Sequence, residues 1–118
     1  MSIISFETKI FRAGEIVREN LVNPPGQEDL CAVLSISEYQ FRRQFRKIHR
    51  MTLGAYTRFQ RMKKAATLLS DTKKSVSHVA CEVGFRNPSR FADAFRNQYG
   101  VNPLQFRKAC MSEKVNVL

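Results

Sequence analysis

The segment SEYQFRRQFRK, residues 37–47, places Tyr39, Arg42, Arg43 and Arg46 close together in the chain. A guanidinium is a planar fork of N–H donors that suits paired acceptors, such as phosphate oxygens, a carboxylate or the edge of a purine. The chemistry on offer is anion and acceptor recognition rather than bond breaking. Phe41 and Phe45 are interleaved with these residues, four apart, so on a helix they share a face. The basic residues then point another way. Ser37 suits the N-cap of that helix, and Gln40 fits the third helical position of a capping box.

Other reactive side chains form no constellation. His78 and Cys81 are three apart, a spacing a metal can use, but only Cys31 and His49 remain as further ligands and zinc spacing is not met. No Ser/His/Asp or Cys/His pattern surrounds His49 or His78, and no glycine-rich phosphate loop is present. The expectation is no enzyme, no catalytic residue, no metal and no cofactor. Cys31, Cys81 and Cys110 form no disulfide framework, and the odd count suits a reducing cytoplasm.

The charge balance names the partner class. Twenty Lys+Arg oppose ten Asp+Glu in 118 residues, a formal net charge of +10. So basic a chain points first to nucleic acid and second to an anionic membrane surface. From Arg42 to Lys64 every charged residue is basic, whereas Glu7, Glu15, Glu19, Glu28 and Asp29 lie before it. No apolar run approaches the roughly 18 residues of a membrane span. The opening MSIISFETKIFRAG is too broken by charge for a signal peptide.

These residues need elements to hold them, and the pattern predicts an all-α fold of about seven helices. FRAGEIVRENLV is the first, with Ile16, Val17 and Leu21 inward, and NPPG stops it. QEDLCAVL follows with acids in its first turn. SIS turns into the arginine-bearing helix, which runs to about His49. Thr52 caps LGAYTRFQRMKKAATLLS, whose expected inner stripe is Tyr56, Phe59, Met62, Ala66 and Leu69. SVSHVACEV ends at Gly84. Asn87 and Pro88 start PSRFADAFRNQY, and Gly100 ends it. NPLQFR begins a short last helix by the same device. The predicted organisation is 1–50, a linker helix at 51–71, a second subdomain at 72–107 and a flexible tail at 108–118.

The chain repeats itself. Phe41, Phe45 and Arg46 recur as Phe91, Phe95 and Arg96 at an offset of 50, and upstream of the turn Leu30, Cys31, Leu34 and Ser35 recur as Val79, Ala80, Val83 and Gly84 at 49. Gly84 suits a left-handed turn, where Ser35 implies strain. A short helix, a tight turn and a second helix is the helix-turn-helix plan, whose second helix lies in the DNA major groove. Tyr39, Arg42, Arg43 and Arg46 then face the groove, forking onto guanine or phosphate. Leu53 to Ser70 spans about 27 Å as a helix. Two readers so joined reach successive major grooves about 34 Å apart, on an asymmetric site because their sequences differ.

With these motifs in place, the chain resembles the AraC/XylS family of bacterial transcription regulators. The resemblance covers residues 10–107 and rests on VACEVGFRNPSRFADAFRNQYGVNPLQFR, residues 79–107, on LCAVLSISEYQFRRQFRK and on LGAYTRFQRMKKAATLL. Cys31 and Ser35 stand where the family usually has Ala and Gly. The chain looks like the small stand-alone members, since it has no room for a sensing domain. The resemblance implies a cytoplasmic, monomeric activator that bends double-stranded DNA and contacts RNA polymerase. It places Tyr39, Gln40, Arg42, Arg43 and Arg46 on the first reader, and Asn87, Ser89, Arg90, Asp93 and Arg96 on the second. Ser37, Lys47, Arg50, Arg58 and Arg61 are the candidate phosphate contacts. Asp93 departs from the pattern, and Ala92 stands where the first reader has Arg42, so the second reader is expected to be the weaker.

The competing reading is an interaction module with this fold that binds polymerase or another regulator without specific DNA readout; Ser35 and Asp93 favour it. A membrane-surface role lacks a basic helix with a free apolar face. Single-stranded RNA binding wants exposed stacking aromatics, and these phenylalanines read as internal.

Overall fold

Ser5 opens the first helix earlier than the apolar pattern suggests. In the computed structural model, which describes residues 4–116, its side chain accepts from the Thr8 N–H, and α1 runs Phe6–Glu19. The other helices are α2 (Gln27–Leu34), α3 (Glu38–His49), α4 (Leu53–Asp71), α5 (Val76–Glu82), α6 (Pro88–Tyr99) and α7 (Pro103–Asn116). The expected all-helical architecture is what the described residues show. Two differences concern the ends. α1 stops at Glu19 rather than Val22. α7 continues nine residues past the expected stop at Arg107, through Asn116. Residues 108–116 carry helix formers without Gly or Pro, and propensity extends the helix where no apolar period announces it. The first residues of the opening segment and the last two of the expected tail lie outside the described residues.

The chain divides into two compact units inside α4, between Arg58 and Phe59. Each unit has its own core. The first is built from Ile10, Ala13, Val17, Leu21, Leu30, Cys31, Ile36, Phe41, Phe45 and Tyr56. The second is built from Met62, Ala65, Leu69, Val79, Ala80, Val83, Phe91 and Phe95. Ile10, Ala13 and Val17 of α1 match Met62, Ala65 and Leu69 of α4 at an offset of 52. α4 therefore does in the second unit what α1 does in the first. This corrects the single inner stripe expected for α4. Tyr56 and Met62 are six residues and about 120° apart around a helix, and they serve different cores. Phe59 falls between them and is exposed, while Ala65 rather than Ala66 is fully buried. Val17 and Leu21 are buried as expected, Ile16 is only half-buried, and Ile10, Ala13 and Gly14 complete the inner face of α1.

The aromatic packing repeats as well. Phe45 packs on His49 at 4.5 Å and edge-on to Tyr56 at 5.3 Å. Phe95 packs on Tyr99 at 4.8 Å and edge-on to Phe106 at 5.2 Å. One residue pair differs in a compensated way. A Cβ on Gly14 would meet the Tyr56 hydroxyl at 2.8 Å, a hydroxyl that accepts from Arg18 Nη1 at 2.6 Å. In the second unit Ala66 and Phe106 hold the same two positions, so the methyl is present and the hydroxyl absent.

The turns repeat down to their hydrogen bonds. Ile36 N–H donates to Cys31 O at 3.1 Å, and Phe85 N–H to Ala80 O at 2.9 Å. Both turns need a left-handed residue, supplied by Ser35 (φ 52°) and Gly84 (φ 98°). α3 and α6 end alike, with Arg50 (φ 63°) and Gly100 (φ 81°). A side chain at such a position is strained by its own Cβ. Ser35→Gly and Arg50→Gly should each stabilise the fold by about 0.5–1 kcal/mol, read from the urea midpoint. Gly84→Ser should lose a similar amount.

Candidate nucleic-acid interface

α3 is positioned by a cap and a core. The Ser37 side chain accepts from the Gln40 N–H at 3.1 Å, and Phe41 and Phe45 bury the inner face. The reciprocal half of the expected capping box is not made: Gln40 Oε1 is buried without a hydrogen-bond partner. That reciprocal box forms instead on α7, where Asn102 Oδ1 accepts from the Gln105 N–H and Gln105 Oε1 from the Asn102 N–H. Gln40 is half-buried, so of the five residues assigned to the first reader it is the one withdrawn from the surface.

The other four divide into two flanks. Tyr39 and Arg43 are exposed and joined, with Arg43 Nη1 donating to the Tyr39 hydroxyl at 3.4 Å. Arg42 and Arg46 line a cleft of about 350 Å³ with Gln27, with Thr52 and with the first residues of α4, Leu53 and Gly54. Thr52 caps α4, its hydroxyl accepting from the Ala55 N–H at 3.2 Å. Guanidinium groups beside a helix N-terminus suit a phosphate. Gln27, Thr52 and Gly54 were legible only as helix starts, and their part in the cleft comes from the folding of α2 and α4 around α3.

Lys47, Arg50 and Arg58 are exposed, as phosphate contacts require, and Ser37 is exposed beside its cap bond. Arg61 differs. It is half-buried and its guanidinium lies 5.7 Å from the centre of the Phe85 ring. Desolvation lowers its pKa from the ordinary arginine value. Arg61 therefore packs within its own unit.

On α6, Ser89, Arg90, Asp93 and Arg96 are exposed. Asn87 is committed to the helix start: its Oδ1 accepts from the Ser89 and Arg90 N–H groups at 2.9 and 3.1 Å. Only its amide donors are left for a partner. Asp93 makes no ion pair among the described residues, so neither Arg90 nor Arg96 neutralises it. Arg107 is an unforeseen structural clamp. Its Nε donates to Leu69 O at 3.0 Å, and its Nη2 donates to Lys74 O, tying α7 to the end of α4. Among the described residues no cluster of three His, Cys, Asp or Glu side chains suits a metal. No helix among them is long and apolar enough to cross a membrane.

Behind the first reader, His49 sits among Phe45, Tyr56 and Phe11, with Nε2 buried and unpartnered. Desolvation lowers its pKa; a hydrogen bond to the Ile10 backbone opposes this and the Arg18 charge reinforces it. A depressed folded-state pKa means the unfolded chain takes the proton first as pH falls below about 6.5. Stability from this site is complete above that pH and declines below it. Melting at pH 7.5 and 5.5 should show an acid loss in the wild type that His49→Tyr, the residue at position 99, reduces.

A sequence model described as a helix-turn-helix domain matches residues 30–109. The chain belongs to the AraC/XylS family of transcription regulators. It is 32% identical over 100 residues to the HTH-type transcriptional regulator MtrA of Neisseria gonorrhoeae, covering 82% of this chain and 33% of that protein. It is 30% identical over 103 residues to the HTH-type transcriptional activator RhaR of Escherichia coli O1:K1, covering 87% and 36%. The chain thus spans about a third of these curated relatives. Among solved structures, the DNA-binding domain of AdpA, a global transcriptional factor crystallised in complex with a target DNA, superposes with a TM-score of 0.79 at 28% identity, covering 89% of this chain and 95% of that one. An AraC-type regulator from Chromobacterium violaceum shares the fold, with a TM-score of 0.83 at 23% identity over 88% and 93% of the two chains. α3 and α6 are the second helices of the two helix-turn-helix units.

Proposed function

We propose that the chain reads an asymmetric double-stranded DNA site as a monomer, with α3 and α6 entering successive major grooves, and that it activates transcription in the cytoplasm by contacting RNA polymerase. The carrying observation is the doubled unit: two helix-turn-helix turns with matching hydrogen bonds, each followed by a helix whose phenylalanines are buried and whose polar face is exposed. The net charge of +10 supports the partner class. The activator role and the polymerase contact rest on the family alone.

The first reader divides its labour by flank. Tyr39 and Arg43 face base edges, with the tyrosine hydroxyl fixing the guanidinium. Arg42 and Arg46, beside the α4 N-terminus, take a phosphate together with Lys47 and Arg50. On the second reader Ser89, Arg90, Asp93 and Arg96 face the DNA and Asn87 positions the helix start. Arg58 contacts phosphate, and Arg61 contributes through packing.

In vitro selection from a random duplex pool should return a two-part, non-palindromic motif. If roughly six phosphates are neutralised, log affinity should fall with log salt at a slope near −5. Equal affinity for every duplex at moderate salt would instead favour the interaction module.

A further inference from the structure

The first unit carries a groove that its reader helix does not use. It lies between α1 and the end of α2 and encloses about 520 Å³, within the range of small-molecule sites. Ile4, Phe11, Val33 and Leu34 form its walls. Phe11 is 57% and Val33 72% exposed. Exposed apolar surface gathered in one groove marks a binding site more often than scattered residues do.

The second unit is an internal control on whether the fold requires those residues. At the α1-to-α4 offset of 52, Phe11 becomes Lys63; at the α2-to-α5 offset of 49, Val33 becomes Glu82. The same helix pair is thus built with two charges, and Glu82 takes Lys74 at 2.9 Å. Packing of the unit does not demand an apolar groove.

The rim gives the ligand's charge. Lys9 Nζ donates to Ser35 O at 2.8 Å and has no carboxylate partner among the described residues. The rim's other charges are Arg12 and its one acid, Glu15, which lie 4.0 Å apart, with Arg12 also 3.5 Å from Glu19. An apolar cleft with one unmatched ammonium fits an apolar body ending in a carboxylate. We propose that this groove binds a small amphiphilic carboxylate, and that Lys9 couples its occupancy to the turn before α3. Ser35 is the strained left-handed residue of that turn. A ligand carboxylate competes for Lys9, releases the Ser35 carbonyl and shifts the start of the reader helix. The coupling rests on the DNA-reading proposal; the binding does not.

The test titrates the full chain, without DNA, with decanoate below its micelle concentration. Decanol and decyltrimethylammonium serve as probes of equal chain length, and amide chemical shifts are followed by NMR. Decanoate should give saturable shifts around Lys9, Val33 and Ser35 and bind more tightly than either control. Val33→Glu, which installs the second unit's side chain, should weaken it about tenfold. Lys9→Gln should abolish the preference for decanoate over decanol, and Met111→Glu on α7 should change nothing. Equal binding of the three probes, wild-type binding by Val33→Glu, or shifts centred elsewhere would overturn the site. So would a dimer in sedimentation that Val33→Glu dissolves, since a second copy would then fill the groove. On a selected duplex, decanoate should change affinity for the wild type and not for Lys9→Gln; unchanged wild-type affinity overturns the coupling. Failure to select any duplex defeats the DNA proposal while the NMR titration still judges the groove.

Discussion

Phe45→Ala and Phe95→Ala should each cost about 3–5 kcal/mol of stability, the range for emptying a packed aromatic site. Phe45 is 1% exposed and Phe95 is fully buried. Each is the hub of its unit's aromatic group, touching the next turn of its own helix and the helix that follows. Phe45 contacts His49 and Tyr56, and Phe95 contacts Tyr99 and Phe106. A site enclosed by other rings collapses only in part, so a cavity remains. A domain of this size holds only about 5–15 kcal/mol in total, and either change consumes much of it. Urea denaturation followed by circular dichroism measures the loss. If Phe45→Ala abolished DNA binding and left the unfolding midpoint in place, the phenylalanines would be contact residues and the two faces of α3 would be reversed.

What could be read from the chain depended on how local the cause was. The Phe41/Phe45 and Phe91/Phe95 pairs were legible because a spacing of four fixes a helix face without any knowledge of the fold. The strain at Ser35 was legible because glycine stands at its repeat position, Gly84, and a left-handed turn is a property of one residue. The hidden parts depended on tertiary placement. A single stripe on α4 separates into two arcs only when two cores claim it, so Phe59 reads as internal in the sequence and is exposed in the fold. The correspondence of α1 with α4 is hidden in the sequence because its offset, 52, differs from the 49 and 50 of the other elements. Gln40 has the right type and spacing for a capping box, yet the fold half-buries its side chain and leaves Oε1 unpartnered. Arg61 has the charge of a phosphate contact, but Phe85 arrives from a distant turn to cover it. Charge and spacing give the inventory of a surface; burial decides which members remain on it.

The same distinction sharpens what to expect of Arg43 and Asp93, which hold one position in the two readers at the offset of 50. Arg43→Ala should cost about 1–3 kcal/mol on a selected site and relax preference at one base pair, as loss of a guanine fork would. Arg46→Ala, on the phosphate flank, should weaken all duplexes alike and flatten the salt slope. Asp93 is the harder case. An ion pair with Arg90 or Arg96 would have made its charge incidental, but the described residues show none. In the proposed complex, an exposed, unneutralised carboxylate on α6 repels phosphate at every sequence. It is compensated only where a donor meets it, and in the major groove cytosine N4 is the donor that acidic side chains accept from. Asp93→Asn should therefore lower affinity for the selected site by about 1–3 kcal/mol while raising affinity for random duplex slightly. The preference for cytosine at one position of the second half should disappear. Fluorescence anisotropy on both duplexes, with the selection repeated for the variant, measures each part. A rise on both duplexes would reduce Asp93 to a source of repulsion. No change on either would mean that this face of α6 does not meet DNA.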